Sequence, residues 1–510
     1  MTTEINLVGR LRLANETVFN TSGSCLPATG LDIPVVEKTV VFAGTQEHLE
    51  PEVMQQYVHG YDNSKMVLGK RGCTLNFTTY LAGAGNTRTG QTAAAGGTYC
   101  AWNEPSGSTA DDSIGMILST LMGSSSHGTT LQTAATWVNG TSTTTAISMS
   151  TGHPAALASK GGAYAVVMPN GTIEAREILA VNGTTVMPTI AHSTAPTSGS
   201  AVYWGTTYHL IEGTGTSNLG TLQAYTEGVE SPDGYVASGL QGNFTLAVEP
   251  GAIAKIACTL QGGAWVRATS GLTAPLAITN FTPLANTQSE LLVGPVFEVD
   301  CIWSRTTTTA TVTSTAHGLG VGDLIWVTKS SDTSAITGAP ALRVAKTIIS
   351  VATNSFTFTC LNAGTTAGTL TYTSVQRRNK LQPGLATWAP GFAVTPIPST
   401  DGVGLSALGG YKRTRTRGVN GTFTVFDDTG INFQTYDANK TDISINQQIG
   451  MTTAGCVLIV APTAQISLVP TRADVNGLQG QLVTWAGRNS DSGVLPASDK
   501  ERSALRIHRF

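Results

Sequence analysis

Apolar residues recur at every second position over much of this chain, and that spacing constrains its fold more than any other feature. Phe244, Leu246 and Val248 alternate with Asn243, Thr245 and Glu249. Ile256, Cys258 and Leu260 repeat the pattern, as do Phe356, Phe358 and Cys360. A period of two is that of a pleated strand with one face buried, so these segments read as antiparallel strands. The run 456–461, CVLIVA, is apolar throughout and reads as a strand covered on both faces. One helix is expected. Asp111 and Asp112 suit a first turn, Ile114, Ile117, Leu118 and Leu121 make a helical stripe, and Gly123 can end it. A shorter helix is expected over 51–59, with Met54, Tyr57 and Val58 on one face. The expected fold is therefore mainly β.

Composition narrows the class. Of 510 residues only 12% are charged, about half the usual share of roughly 25%. Few charges and 57 glycines suit sheets joined by turns, or surfaces covered by neighbours. Lys and Arg number 29 against 32 Asp and Glu, so no basic excess argues for gripping nucleic acid. The seven cysteines form no C-x-x-C pair, which favours free thiols over a zinc site or a disulfide framework. The N-terminus MTTEINLVGRLRL has no secretory apolar stretch, and no apolar run is long enough to span a bilayer, so no membrane anchor is expected.

Two sets of internal repeats suggest a duplicated architecture. Ser150-Thr151-Gly152-His153 matches Ser314-Thr315-Ala316-His317. Ile178-x-x-Val181, then Val186, matches Ile348-x-x-Val351, then Phe356. Thr197-x-Gly199-x-x-x-Tyr203 matches Thr366-x-Gly368-x-x-x-Tyr372. All three lie roughly 170 residues apart. Separately, Gly239-x-x-Gly242 opens NFTL, Gly418-x-x-Gly421 opens TFTV, and Gly69-x-x-Gly72 opens CTLNF. The economical reading is two copies of one β domain, each carrying a small β module. The first domain is expected over 1–142 and 213–285, with a module at 143–212. The second is expected over 286–307 and 377–510, with a module at 308–376.

Candidate chemistry is sparse, and no catalytic, cofactor-binding or metal-ligating residue is assigned. The eight histidines include no H-x-H or H-E-x-x-H pattern, and the matched pair His153 and His317 suits a turn role. Gly69-Lys70-Arg71-Gly72 lacks the remainder of a phosphate-binding loop and precedes a strand. Lys412-Arg413-Thr414-Arg415-Thr416-Arg417 places three arginines on one strand face: a solvated face, an inter-subunit salt-bridge strip or, least expected without a basic excess, a DNA contact. The eight tryptophans are scattered, which suits core or interface packing. The termini, 1–13 and 501–510, are either arms that add to a neighbouring sheet or frayed ends.

Several segments resemble the tail tube (major tail) proteins of long-tailed bacteriophages. Glu16-Thr17-Val18-Phe19-Asn20-Thr21 resembles an early motif of that family. The segment 239–265 with its Pro250-Gly251 turn resembles the family's late hairpin. So does 418–466, followed by Val475-Asn476-Gly477-Leu478 and 506–510. The His317-Gly318-Leu319…Gly322-Asp323 start resembles small β modules common in tail proteins, while Pro154 after His153 departs from it. The resemblance covers about half the chain. It implies tandem tail-tube-type β-sandwich or barrel domains with a short helix, and a structural, non-enzymatic virion protein made in the host bacterial cytoplasm. Such subunits stack as rings into a DNA-ejection conduit. Two fused domains imply trimeric, pseudo-hexameric rings, outward-facing modules, contacts with terminator, tape measure and distal tail proteins, and transient passage of DNA. Competing expectations are another virion protein (tail terminator, baseplate or capsid decoration) and a carbohydrate-binding adhesin. A β-helical glycan hydrolase would need paired carboxylates and short parallel rungs, and neither is visible.

Overall fold

The computed structural model describes residues 4–16, 31–49, 67–83, 88–92, 98–102, 113–126, 136–140, 142–150, 161–210, 221–228, 234–268, 283–286, 289–295, 298–315, 317, 319–332, 336, 344–375, 380–381, 383–398, 408–426, 431–452, 455–475, 477–488 and 499–510. The chain is mainly β, as alternation predicts. In order come β1 (Glu4–Asn15), β2 (Leu31–Asp32), β3 (Val41–Leu49), β4 (Val67–Tyr80), the pair β5 (Arg88–Thr92) and β6 (Thr98–Trp102), helix α1 (Ser113–Met122) and β7 (Gly123–Ser126). Next are β8 (Thr136–Trp137), β9 (Ile147–Ser148), β10 (Ala163–Val167), β11 (Ile173–Asn182), β12 (Thr185–Pro188) and β13 (Ala201–Trp204). Then follow β14 (Thr206–Leu210), β15 (Leu222–Gly228), β16 (Gly234–Val248), β17 (Lys255–Gly262), β18 (Ala264–Ala268) and β19 (Ser289–Pro295). The next six are β20 (Glu298–Arg305), β21 (Thr309–Thr313), β22 (Leu324–Ser330), β23 (Val344–Ala352), β24 (Ser355–Thr359) and β25 (Thr366–Ser374). The chain ends with β26 (Lys380–Leu381), β27 (Pro383–Ala389), β28 (Phe392–Pro398), β29 (Leu408–Arg417), β30 (Asn420–Phe426), α2 (Phe433–Ala438), β31 (Ile443–Thr452), β32 (Gly455–Val475), β33 (Leu478–Gly487), α3 (Asp499–Arg502) and β34 (Arg506–Arg509).

Strand pairing reveals a twofold repeat. In the first half β1 pairs with β2 and β15, β15 with β16, β16 with β17, β17 with β4, and β4 with β3. In the second half β19 pairs with β26 and β31, β31 with β32, β32 with β33, β33 with β30, and β30 with β27. The two circuits are the same, all antiparallel, and each has a helix between its fourth and fifth strands. The counterparts are therefore β1/β19, β2/β26, β3/β27, β4/β30, β15/β31, β16/β32 and β17/β33. This corrects the glycine-motif alignment. The motifs at 69–72 and 418–421 fall on the counterparts β4 and β30, whereas 239–242 lies in β16, which is the counterpart of neither. The motif recurs in non-equivalent strands for a local reason. A Cβ at Gly242 would collide with the Thr259 carbonyl, and one at Gly421 with the Thr387 carbonyl.

The two modules are likewise copies of each other. In chain order, strands one to six are arranged 1-6-3-4-5-2 in the first and 1-2-5-4-3-6 around a closed barrel in the second, which is one cyclic order read in opposite directions. A bridge between Val138 and Met149 joins the end strands of the first. Val181 opposes Val186, and Val351 opposes Phe356. A bulge falls just after Ile178 in one and just after Ile348 in the other. Strand pairing sets the modules at 136–204 and 298–374. Thus β14 leaves the first module to pair with β7 and β34, and β20 completes the second barrel against β21 and β25. The modules enter the repeats at different points: the first after the helix, the second directly after β19.

Helix α1 begins at Ser113 and buries Ile114, Ile117, Leu118 and Leu121, and Gly123 ends it with φ of 88°. Asp111, Asp112 and the helix expected over 51–59 lie outside the described residues. The run 456–461 is buried on both faces. Val457, Ile459 and Ala461 join the main core, whereas Cys456, Leu458 and Val460 pack on Ala163, Ala165, Ile173 and Ala175 of the first module. That explains why no polar residue interrupts it: each side chain contributes about 1.5–3 kcal/mol on burial, and neither face meets water.

Candidate assembly edges and the buried polar seam

The repeats join edge to edge. The distal part of β16 pairs with β27, setting Leu246 against Trp388, Ala247 against Thr387 and Val248 against Ala386. Trp388 is fully buried, lies edge-on to Trp485 with centroids 5.0 Å apart, and donates its indole N–H to Gln447 Oε1 at 2.6 Å. The joint is a continuation of the sheet rather than contact between two finished surfaces. The ladder supplies backbone hydrogen bonds and the tryptophans fill the core beneath it.

The corresponding margins at the outer ends of the pair differ. Beyond Ala464, β32 pairs only with β33 among the described residues, and the margin that corresponds to the β27-facing side of β16 carries no partner strand among them. Leu468 and Val469 on that stretch are 63% and 65% exposed. Followed through β33, Leu468 falls at the position of Gln241, which is buried in the first repeat, and the positions of Leu246 and Ala247 fall at Asp474 and Val475. A polar cleft of about 420 Å³ lies alongside, lined by Ile431, Asn432, Gln434, Pro470, Thr471, Arg472 and Gln481.

Both termini are built into this sheet. The expectation that 501–510 is an arm added to a neighbour's sheet, or a frayed end, is corrected: within the chain β34 pairs with β14 on one side and β32 on the other, and Arg506, Ile507, His508, Arg509 and Phe510 are all buried. Position at the terminus misled here, because the charges of this segment find partners. Arg506 donates to Glu177 Oε1 at 2.6 Å and to the carbonyls of Lys500 and Glu501 at 2.5 and 2.7 Å. Arg509 donates to the carbonyls of Ala82 and Gly83 at 3.0 and 2.6 Å. At the N-terminus β1 pairs with β15, β2 and β3.

A polar seam docks the first module onto the second repeat. Arg176 lies 3.1 Å from both Glu174 and Glu290, His192 Nδ1 lies 3.0 Å from Glu174, and Gln448 accepts from the Ala175 N–H at 2.8 Å. Burial alone would raise the Glu174 carboxyl. Hydrogen bonds from His192 and Ser193, with the Arg176 charge, instead hold it well below the usual range. Burial opposes ionisation of Glu177 too, and Arg506 and His508 outweigh it. These are ion pairs sealed between β layers.

One consequence is measurable. His209, on β14 opposite Arg506, is 4% exposed. Burial, then the Arg506 and Lys500 charges, push its imidazole down to about 4. The unfolded chain takes up this proton near pH 6.5, whereas the fold refuses it until about 4, so stability falls as pH drops through that window. The loss from this group is about 3 kcal/mol. His508 is also lowered, by burial first, and adds in the same direction. Denaturation midpoints of His209→Gln between pH 7 and 4 are expected to fall less steeply than those of the unaltered chain; an unchanged slope would contradict this assignment.

The other expected site residues are placed as follows. His317 organises a turn: its Nε2 lies 2.9 Å from the Ala352 carbonyl, its Nδ1 accepts from the Leu319 N–H at 3.1 Å, and Asp323 accepts from the Gly320 N–H at 2.7 Å. His153 lies outside the described residues. The arginine strand is β29, which pairs with β28; the side chains of 412–417 lie outside the described residues. Among the described cysteines, Cys73, Cys258, Cys301, Cys360 and Cys456 are free and buried, and burial pushes the Cys73 thiol up to about 12. No cluster of three potential metal ligands occurs among the described residues, and no helix among them is long and apolar enough to cross a membrane. Sequence reasoning missed the Glu174–Arg176–Glu290 seam and the Arg506–Glu177 pair. Charged residues inside otherwise apolar strands were the available signal. Compared with known proteins, the chain matches no protein-family model and no curated protein.

Proposed function

We propose that this chain is a structural subunit of a phage tail tube, self-assembling through its sheet margins into stacked rings that form a DNA-ejection conduit. The observation that carries this reading is the in-chain joint of β16 with β27: one repeat already extends the sheet of the next, and the second repeat ends in a comparable margin with no partner strand among the described residues. A unit that joins to its own copy head to tail closes into a ring where the rotation allows and otherwise runs on as a filament, and closure removes the exposed edges. Two repeats per chain suit three chains in a six-unit ring. The near-balance of 29 basic and 32 acidic residues suits a lumen that DNA passes without being held by counterion release. On this reading the protein acts in the virion tail, carries no catalytic residues, and meets terminator, tape measure and distal tail proteins at the ends of the tube.

The test is to express the chain alone and examine the product by sedimentation and negative-stain electron microscopy. Long hollow rods or stacked rings are expected. Small, non-stacking oligomers would point instead to a terminator, baseplate or capsid decoration protein, and persistent monomers at high concentration would overturn the reading.

A further inference from the structure

In the second repeat the outer margin of β27 receives β16. The corresponding margin of β3 is not open: the first four residues of β1 occupy it. The rungs are Glu4 opposite Gly44, Ile5 opposite Ala43, Asn6 opposite Phe42 and Leu7 opposite Val41. Gly44 and Phe42 oppose Cys73 and Leu75 of β4, while Trp388 and Ala386 oppose Gly421 and Phe423 of β30. Matching the buried residues of β4 and β30 therefore aligns Gly44 with Trp388 and Phe42 with Ala386. On that alignment Glu4, Ile5 and Asn6 stand where Leu246, Ala247 and Val248 stand in the second repeat, on the same three rungs and both antiparallel. The remainder of β1 does what β19 does, pairing with β15 and β2 as β19 pairs with β31 and β26. Only the segment 4–7 is additional. The chain before β19 takes another course, bridging Ala82 through Pro283 and Ile253 through Ala285, and so leaves the β27 margin for β16.

We propose that residues 4–7 are an intramolecular placeholder on the assembly edge of β3, displaced when the margin of β32, near Asp474 and Val475, of a second copy takes those rungs. The occupant is a second copy of this chain because the chain itself contains the finished version of the joint, β16 on β27. The exposed Leu468 and Val469 lie on the strand that would approach, a few residues before Asp474 and Val475, which stand where Leu246 and Ala247 make that joint in the first repeat. The exchange replaces one short antiparallel ladder by another, so the backbone groups of β3 are never left unpaired in the end states. A placeholder of four rungs blunts a sheet edge that would otherwise pair indiscriminately, and it makes joining slower than docking of preformed surfaces.

The inference rests on the reading that copies join edge to edge, but its test is separable from the tube itself. Ile5 and Ala43 are directly opposed, at a spacing that a disulfide can bridge. The full chain carrying Ile5→Cys and Ala43→Cys, oxidised, is expected to remain monomeric by sedimentation, and to recover assembly on adding dithiothreitol. A second variant lacking residues 1–7 is expected to assemble with a shortened lag, at lower concentration than the unaltered chain. Circular dichroism and thermal melting check that both fold. An oxidised, folded chain that assembles as readily as its reduced form would overturn the proposal, as would a folded truncated chain that assembles no faster. Edge-dependent growth into open chains or dimers would support the placeholder while overturning the closed tube.

Discussion

Replacing Arg506 by alanine is expected to destabilise the protein by about 3–5 kcal/mol, the cost of leaving one partner of a buried ion pair unanswered. Arg506 is 1% exposed, and its guanidinium joins Glu177 of the first module to the carbonyls of Lys500 and Glu501 before the last strand. Without it, Glu177 keeps a buried negative charge answered less directly, by His508 Nε2 at 3.6 Å and by the Lys500 charge. The charge is worse off than an apolar side chain would be, so Arg506→Met combined with Glu177→Leu is expected to regain much of the loss. Urea denaturation followed by fluorescence measures both. A single mutant within about 1 kcal/mol of the unaltered chain would contradict the assignment of this pair as the clasp between module and sheet.

The second large effect is at the joint between repeats. Trp388→Ala is expected to cost about 3–5 kcal/mol, as truncating a fully buried aromatic does. The indole fills the space between Leu246, on the neighbouring repeat, and Trp485, and its N–H satisfies Gln447. Truncation opens a cavity and strands a buried amide together. Combined with Leu246→Ala, the loss is expected to be non-additive by about 0.5–3 kcal/mol, because the two side chains share one contact. Strict additivity would mean that the repeats are held together elsewhere.

Much of the secondary structure was legible because strand burial leaves a period of two. The burial of β17 alternates without a break from Lys255 to Gly262, as Ile256, Cys258 and Leu260 suggested. The modules were legible as a pair because their landmarks sit at bulges and turns, where geometry restricts the residue: Ile178 and Ile348 flank the same bulge. The repeat of the main sheet was harder. Its counterparts share pairing and burial, not side chains: Cys73 corresponds to Gly421, and Gly44 to Trp388. In the first repeat Gly44 leaves room for the Trp265 ring, whose nearest atom would lie 2.6 Å from an added Cβ. In the second, Trp388 itself fills the layer. Identity is free to change where two strands exchange the task of filling one space. The edge joints and the polar seam left least trace, since they join residues far apart, Glu177 and Arg506 by 329 positions. A charged C-terminal strand reads as an exposed arm until its partners are seen.

The central claim is that two sheet repeats, joined within the chain as neighbours would be joined between chains, make a unit that closes on itself. Top views of purified assemblies by cryo-electron microscopy test it most directly. The account predicts a hollow ring of three chains in which six sheet units line the lumen in sequence and every β3 margin lies beside a β32 margin. A solid particle, or copies meeting only through their modules with the sheet margins left facing solvent, would contradict it.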